Sequence, residues 1–225
     1  MSERIREILT DLETVRENLL ALSDDIWLGI DHNNQAALEA GVQFKRAYNE
    51  KIAQFDVLAS ELSELIQGYT KVTVEPESAE HVKTDAETDR IIKELNKEEP
   101  HTLQEDFSYK RPYGFVLRRW ALKDVVAWKR LYLELAVLLK DTDQKRFATL
   151  PNNPKFVTSQ NNPFFSTNPD ELRSANLVAD GIYAETNLSA NRIKECMRRL
   201  LIEFGIDPSE MRIYLRQDRN ATPQG

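Results

Sequence analysis

One cysteine, Cys196, is all the thiol chemistry this 225-residue chain carries. It excludes an internal disulfide and a cysteine-based zinc cluster. Seven glycines leave no room for a Gly-rich phosphate cradle. Walker-type loop, dinucleotide fingerprint, Gly-x-Ser-x-Gly elbow and zinc-deaminase signature are all missing. The histidines are His32, beside Asp31 in a turn, and His81 and His101 in an acidic stretch. Metal ligands need a shared rigid scaffold, and such positions do not offer one, so neither metal nor cofactor is expected. No apolar run approaches the roughly 18 residues of a membrane span. The opening MSERIREILTDL is charged and amphipathic, unlike a secretory signal. A cytoplasmic protein off the membrane is the expectation, and in that setting Asn187-Leu188-Ser189 reads as a helix cap rather than a glycosylation site.

What is abundant is charge, at 30% of residues, and it is unevenly divided. Residues 1–107 hold 11 Lys and Arg against 24 Asp and Glu, a net −13, and residues 108–225 hold 19 against 13, a net +6. A change of sign between halves points to two domains with different partners.

The acidic half opens with a periodic seam. Ile5, Ile8, Leu12, Val15, Leu19, Leu22 and Ile26 alternate steps of 3 and 4, the spacing of a coiled coil. After the turn formers Asp31-His32-Asn33-Asn34 a second seam follows through Tyr48, Ile52, Phe55, Ala59, Leu62, Ile66 and Tyr69, extended backwards by Phe44 and Gly41. Helices from about Ser2 to about Leu28 and from about Asn34 to Gln67, ending near Gly68, are expected to form a long antiparallel hairpin over residues 1–69. Two helices bury one seam and leave residues such as Leu9, Leu20 and Trp27 outside. The hairpin is therefore expected to pack on a second copy, the C-terminal domain or a partner.

Residues 70–107 read as an acidic, solvated linker. Within it Thr84-Asp85-Ala86-Glu87 resembles a capping box ahead of a short helix with Ile91, Ile92 and Leu95. Residues 108–218 read as a small α+β domain with a mixed or antiparallel sheet, and 219–225 as a disordered tail. Gly114–Leu117 is a strand, with Val125-Val126 as its hairpin mate. Trp128, Leu131, Leu135 and Leu138 mark a helix. Residues 151–169 form a long loop, or two turns around a strand at Phe164-Phe165. The closing unit is the most regular: a strand at 181–186, a helix capped by Ser189 with Ile193, Met197, Leu200 and Phe204 on one face, a stop at Gly205, and a strand alternating Met211, Ile213 and Leu215 with Arg212, Tyr214 and Arg216.

This second half resembles a module of unknown function found at the C-terminus of bacterial proteins associated with restriction-modification and other phage-conflict systems. The resemblance runs over about residues 110–216. It rests on Phe115-Val116-Leu117, Trp128, Phe164-Phe165-Ser166, Leu172-Arg173, the run Tyr183-Ala184-Glu185-Thr186-Asn187-Leu188-Ser189-Ala190, and the helix end Leu200-Leu201-Ile202-Glu203-Phe204-Gly205. It implies a bacterial defence or mobile-element context and carries over no catalytic residue.

Two sets of residues are candidates for function. The first is the hairpin seam, Ile5, Ile8, Leu12, Val15, Leu19, Leu22, Ile52, Phe55, Leu62 and Ile66, for an oligomer or protein partner. The second is basic: Arg118, Arg119, Lys129, Arg130, Lys194, Arg198, Arg199, Arg212 and Arg216. If the face with Arg212, Tyr214 and Arg216 is exposed, cations beside an aromatic suit phosphate and a base. The alternative is a solvated face salt-bridged to Glu185, Glu195 and Glu203. Glu185 to Ser189 is a polar island: either a turn and cap with Glu185 alternating outward, or a site completing an enzyme complex of nuclease type. The chain is expected to be a non-catalytic adaptor that self-associates or docks through its hairpin and recognises protein or nucleic acid through its second half.

Overall fold

The two seams produce α1 (Ser2–Leu28) and α2 (Gln35–Thr70) in a computed structural model that describes residues 2–72, 85–158, 162–179 and 181–216. Asn34 opens α2 as the turn composition requires: its side chain accepts the Ala37 N–H at 3.1 Å, satisfying an amide the helix leaves orphaned. The helix runs past Gly68 and stops at Lys71, whose backbone turns left-handed (φ 58°) while its N–H returns to the Gln67 carbonyl. The expected stop at Gly68 is overridden because Thr70 still bonds into the helix, its hydroxyl donating to Ile66 O at 2.7 Å.

Three polar crosslinks fix the antiparallel register of the hairpin. Tyr48 Oη donates to Leu19 O at 2.9 Å. Lys45 Nζ donates to Ser23 Oγ at 2.6 Å and Ser23 O at 2.9 Å. Arg16, only 6% exposed, donates from Nε to Asp56 Oδ1 at 2.8 Å and from Nη1 to Glu13 at 2.9 Å. A buried guanidinium is tolerable only with such partners. The seams meet incompletely. Ile52 and Ala59 are buried, yet Ile8, Val15 and Leu22 are 54%, 47% and 39% exposed. In α1 the buried residues are Leu9, Thr10, Thr14, Arg16, Glu17, Ala21 and Ser23, and of these Leu9, Arg16 and Ser23 form the row one residue further on than the exposed one. The helix is thus rotated about its axis relative to a closed seam, and Leu9, expected outside, is inside.

The other unit of the chain contains two three-stranded antiparallel sheets. It begins with α3 (Asp85–Leu95), β1 (Pro112–Leu117), β2 (Trp120–Lys123), α4 (Trp128–Thr142) and the short α5 (Gln144–Phe147). After 3-10 turns come β3 (Phe165–Ser166), β4 (Ala175–Ala179), β5 (Ile182–Glu185), α6 (Ala190–Glu203) and β6 (Met211–Leu215). The sheet orders are β2-β1-β6 and β3-β5-β4. The hairpin mate of β1 is Trp120–Lys123 rather than Val125-Val126. Arg118, left-handed at φ 54°, turns the chain early, and Val125 N–H instead meets Tyr113 O at 2.9 Å.

Much of the expected linker is packed. Ile91 and Leu95 of α3 form one buried cluster with Val116, Ala121 and Tyr214, and further along Leu103 and Phe107 are buried as well. His101 exchanges both backbone hydrogen bonds with Ile213, each at 2.8 Å. Residues 73–84 of the expected linker and the expected tail, 219–225, lie outside the described residues. The core is completed by α4 and α6, which bury Trp128, Leu131, Tyr132 and Leu135 on one and Ile193, Cys196, Met197 and Leu200 on the other. Phe165 stands edge-on to Phe147 and Phe156, with centroids 5.8 and 5.6 Å away, a favoured aromatic geometry. The end of α6 follows from Gly205. At φ 71° it lets Ile206 N–H reach Leu201 O at 2.8 Å while its own N–H meets Ile202 O at 3.0 Å, the paired bonds of a Schellman stop.

Candidate functional site

The basic residues are spread over several elements, and most are engaged within the chain. Arg118 forks onto Glu210 at 2.5 and 2.8 Å, joining the β1–β2 turn to the start of β6. Arg130 pairs with Glu134 at 2.5 Å. Lys194 donates to Glu105 O at 2.6 Å and lies over the Phe107 ring. Arg198 and Arg199 both hold Glu195, at 3.2 and 3.0 Å, and Arg199 also donates to the carbonyls of Lys155 and Val157. Arg212 donates to Asn96 Oδ1 at 3.0 Å. Arg119 and Arg216 are exposed and Lys129 is half-buried. The strand face expected to offer an aromatic to a base is covered. Tyr214 has no exposed surface, and its hydroxyl donates to the same Asn96 Oδ1 at 3.1 Å. Nothing in the spacing 212–214–216 distinguishes a face open to solvent from one roofed by α3.

The polar island is a structural clamp. Glu185, expected to point outward, is 7% exposed. Its carboxylate accepts three backbone N–H groups: Arg173 at 2.7 Å on one oxygen, and Ser174 at 3.2 Å and Asn187 at 2.7 Å on the other. Thr186 Oγ1 donates to Ser174 O at 2.9 Å and accepts from Asn176 at 2.7 Å. The β4–β5 pairing, with Ala175 opposite Glu185, brings these donors together. A carboxylate filled in this way ties the entry of β4 to the exit of β5. Ser189 stands immediately before α6, at the cap position.

The buried thiol is unsuited to nucleophilic chemistry. Cys196 Sγ donates to Tyr132 Oη at 3.4 Å, and burial pushes its pKa up to about 12, so the thiolate that nucleophilic chemistry needs is suppressed. In native protein Cys196 is expected to resist a thiol reagent at mildly alkaline pH and to react once denaturant is added. Stoichiometric labelling of folded protein would contradict this burial. Asp106 is held down to about 2, chiefly by Asn191 and then by the backbone and side chain of Ser108, in a network that anchors the chain beside Phe107. His101 Nδ1 lies 2.8 Å from Glu105, and the His32 ring packs 5.4 Å from Trp27, while His81 lies outside the described residues. Among the described residues no group of three potential metal ligands occurs, and no helix is long and apolar enough to cross a membrane.

What remains open is one flank of the hairpin. In an antiparallel helix pair, like heptad flanks face each other, and Arg16–Asp56 occupies one of them. On the other lie the exposed Ile8, Val15 and Leu22 of α1, seven residues apart, and from α2 Phe44, Leu58 and Leu65 together with Leu62 and Tyr69. The α2 side chains are 42%, 54%, 69%, 41% and 90% exposed in that order. Ile5, Leu12, Leu19, Tyr48 and Phe55 are half-buried between these rows. Thus Ile8, Val15, Leu22 and Leu62 of the expected seam sit on the open flank, Ile52 in the closed interface, and the rest, including Ile66, are half-buried. Leu58 and Leu65 were not singled out by the seam, and Phe44 only as its backward extension, although their seven-residue spacing to one another and to Lys51 is visible in the sequence. No known protein family, curated protein or solved structure matches the chain.

Proposed function

We propose that this chain is a non-catalytic accessory protein that docks a helical partner along the open flank of its hairpin and presents its α+β unit as a recognition module. The observation that carries this is the pair of exposed heptad rows. Contiguous apolar stripes of that size on a soluble surface mark interaction sites, and a seven-residue repeat is what further helices need for knobs-into-holes packing. The filled carboxylate of Glu185 and the buried Cys196 support a role without chemistry. Recognition of nucleic acid through the α+β unit is the weaker reading, because the cations it needs are largely spent on internal partners. The resemblance of residues 110–216 is the ground for placing the protein in a bacterial defence or mobile-element setting.

The double variant Leu58→Lys, Leu65→Lys tests docking, because both side chains are exposed and their replacement leaves the closed interface intact. Expressed in the native host, it is expected to keep the wild-type melting temperature and to lose the assembly that the wild-type chain forms in native-state size analysis of the lysate. A variant that assembles as the wild type does would remove the flank from the proposal.

A further inference from the structure

We infer that the occupant of the open flank is a second copy of the same chain, packed flank to flank about a two-fold axis into a four-helix bundle. The inference rests on the docking reading above and names its partner.

Three observations select a second copy. The first is extent. The exposed parts of the two rows amount to on the order of 700 Å² of apolar surface per chain, close to the roughly 800 Å² that a stable pair takes from each partner, polar rim included. The second is the lack of an internal cover. Outside the described residues the only large apolar side chains are Met1, Val74 and Val82. Beyond the hairpin, the exposed large apolar residues are Tyr109, Leu177 and Ile202, which lie on three separate segments and make no matching row. Among the described residues the hairpin is the one part with apolar rows of suitable spacing and length to meet its own. A two-fold contact uses the same patch twice and so needs no second surface.

The third is the distribution of charge along the rows. Residues 1–70 hold 6 Lys and Arg against 13 Asp and Glu, so two hairpins repel at long range. The α2 rim next to the open rows is nevertheless nearly neutral, with Ala47, Gln54 and Gly68 beside a single Glu61, and Lys51 stands within the row itself. The α1 rim at the same seven-residue spacing carries Arg4, Asp11, Asn18 and Asp25, a net −1. Setting α1 of one copy against α2 of the other brings the weakly acidic rim to the neutral one and keeps the two α1 rims apart. Association is then apolar at its centre and opposed by net charge, so added salt, which screens the repulsion, strengthens it.

The experiment is light scattering on the purified full-length chain at micromolar concentration, in low and high salt. The expected mass is twice the 26.0 kDa of one chain, retained or tightened in high salt. Leu58→Lys with Leu65→Lys is expected to return it to one chain. Val57→Lys, exposed at 60% but on the outer side of α2, is expected to leave it doubled. A wild-type chain that stays single in both salts overturns the inference. Retained binding of an apolar dye, lost in the double variant, would then show the flank still open and leave the docking reading standing, whereas no dye binding would remove both. A doubled mass that survives the double variant also overturns the inference, since the copies would be meeting elsewhere.

Discussion

Tyr214→Ala is expected to destabilise the α+β unit by about 3–5 kcal/mol, the usual range for deleting a fully buried aromatic side chain. The ring fills the space between α3 and the first sheet, against Ile91, Leu95, Val116 and Ala121. Asn96 would also lose the hydroxyl it accepts from. Denaturant unfolding followed by the fluorescence of buried Trp128 reads the change. Tyr214→Phe separates the two contributions, since it keeps the packing and gives up one hydrogen bond, about 1 kcal/mol. A Tyr214→Ala protein as stable as the wild type would mean that α3 is not seated on the sheet, and the strand face would again be available to a ligand.

Glu185→Gln is the second large effect, about 2–3 kcal/mol of lost stability. The substitution preserves shape, so the loss comes from hydrogen-bonding chemistry alone. A carboxylate offers two accepting oxygens to the three N–H groups of Arg173, Ser174 and Asn187. A carboxamide offers one, and turns an NH₂ toward a donor that then has no acceptor. Charge-assisted acceptance is also replaced by neutral acceptance, which is roughly half as strong. Melting temperature and assembly measured on the same variant distinguish the clamp from a catalytic acid. A clamp lowers the first and spares the second wherever the fold persists. A protein of unchanged stability but lost biological activity would assign Glu185 to chemistry and overturn the non-catalytic proposal.

The elements that the sequence predicts well are those whose determinants are local. The two seams, the turn at Asp31 to Asn34, the Gly205 stop and the alternation of Met211 to Leu215 each involve residues within a turn or two of one another. Their elements form where expected, and the α+β architecture with its N-terminal helical hairpin stands. Trp120–Lys123 escaped because Leu122 is its sole branched aliphatic and because the turn before it needs a left-handed arginine. Helix α3 was visible as a helix, but its seat against Val116 and Tyr214 depends on two partner strands, one of them more than a hundred positions away. Glu185 looked outward because alternation with its strand neighbours says nothing of the backbone amides that β4 delivers. The hairpin shows the same limit. A heptad count identifies the seam of α1 and of α2 but leaves the rotation of each helix about its axis undetermined. That rotation decides whether Ile8, Val15 and Leu22 meet the partner helix or solvent.

The placement of β6 has a consequence for how the chain is made. β1 sits at the centre of its sheet, paired on one side with β2, which follows it at once, and on the other with β6. During synthesis the hairpin helices and the β1–β2 ribbon find their partners as soon as they leave the ribosome. The second edge of β1, the underside of α3 and the backbone of His101 must wait for Met211–Leu215. Through that interval the nascent chain carries an unpaired central strand beside uncovered apolar side chains, the kind of edge that pairs wrongly with neighbours. A message broken before the codon for Met211 would leave the product permanently in that condition, with β1 unpaired on one side and its second half an exposed template.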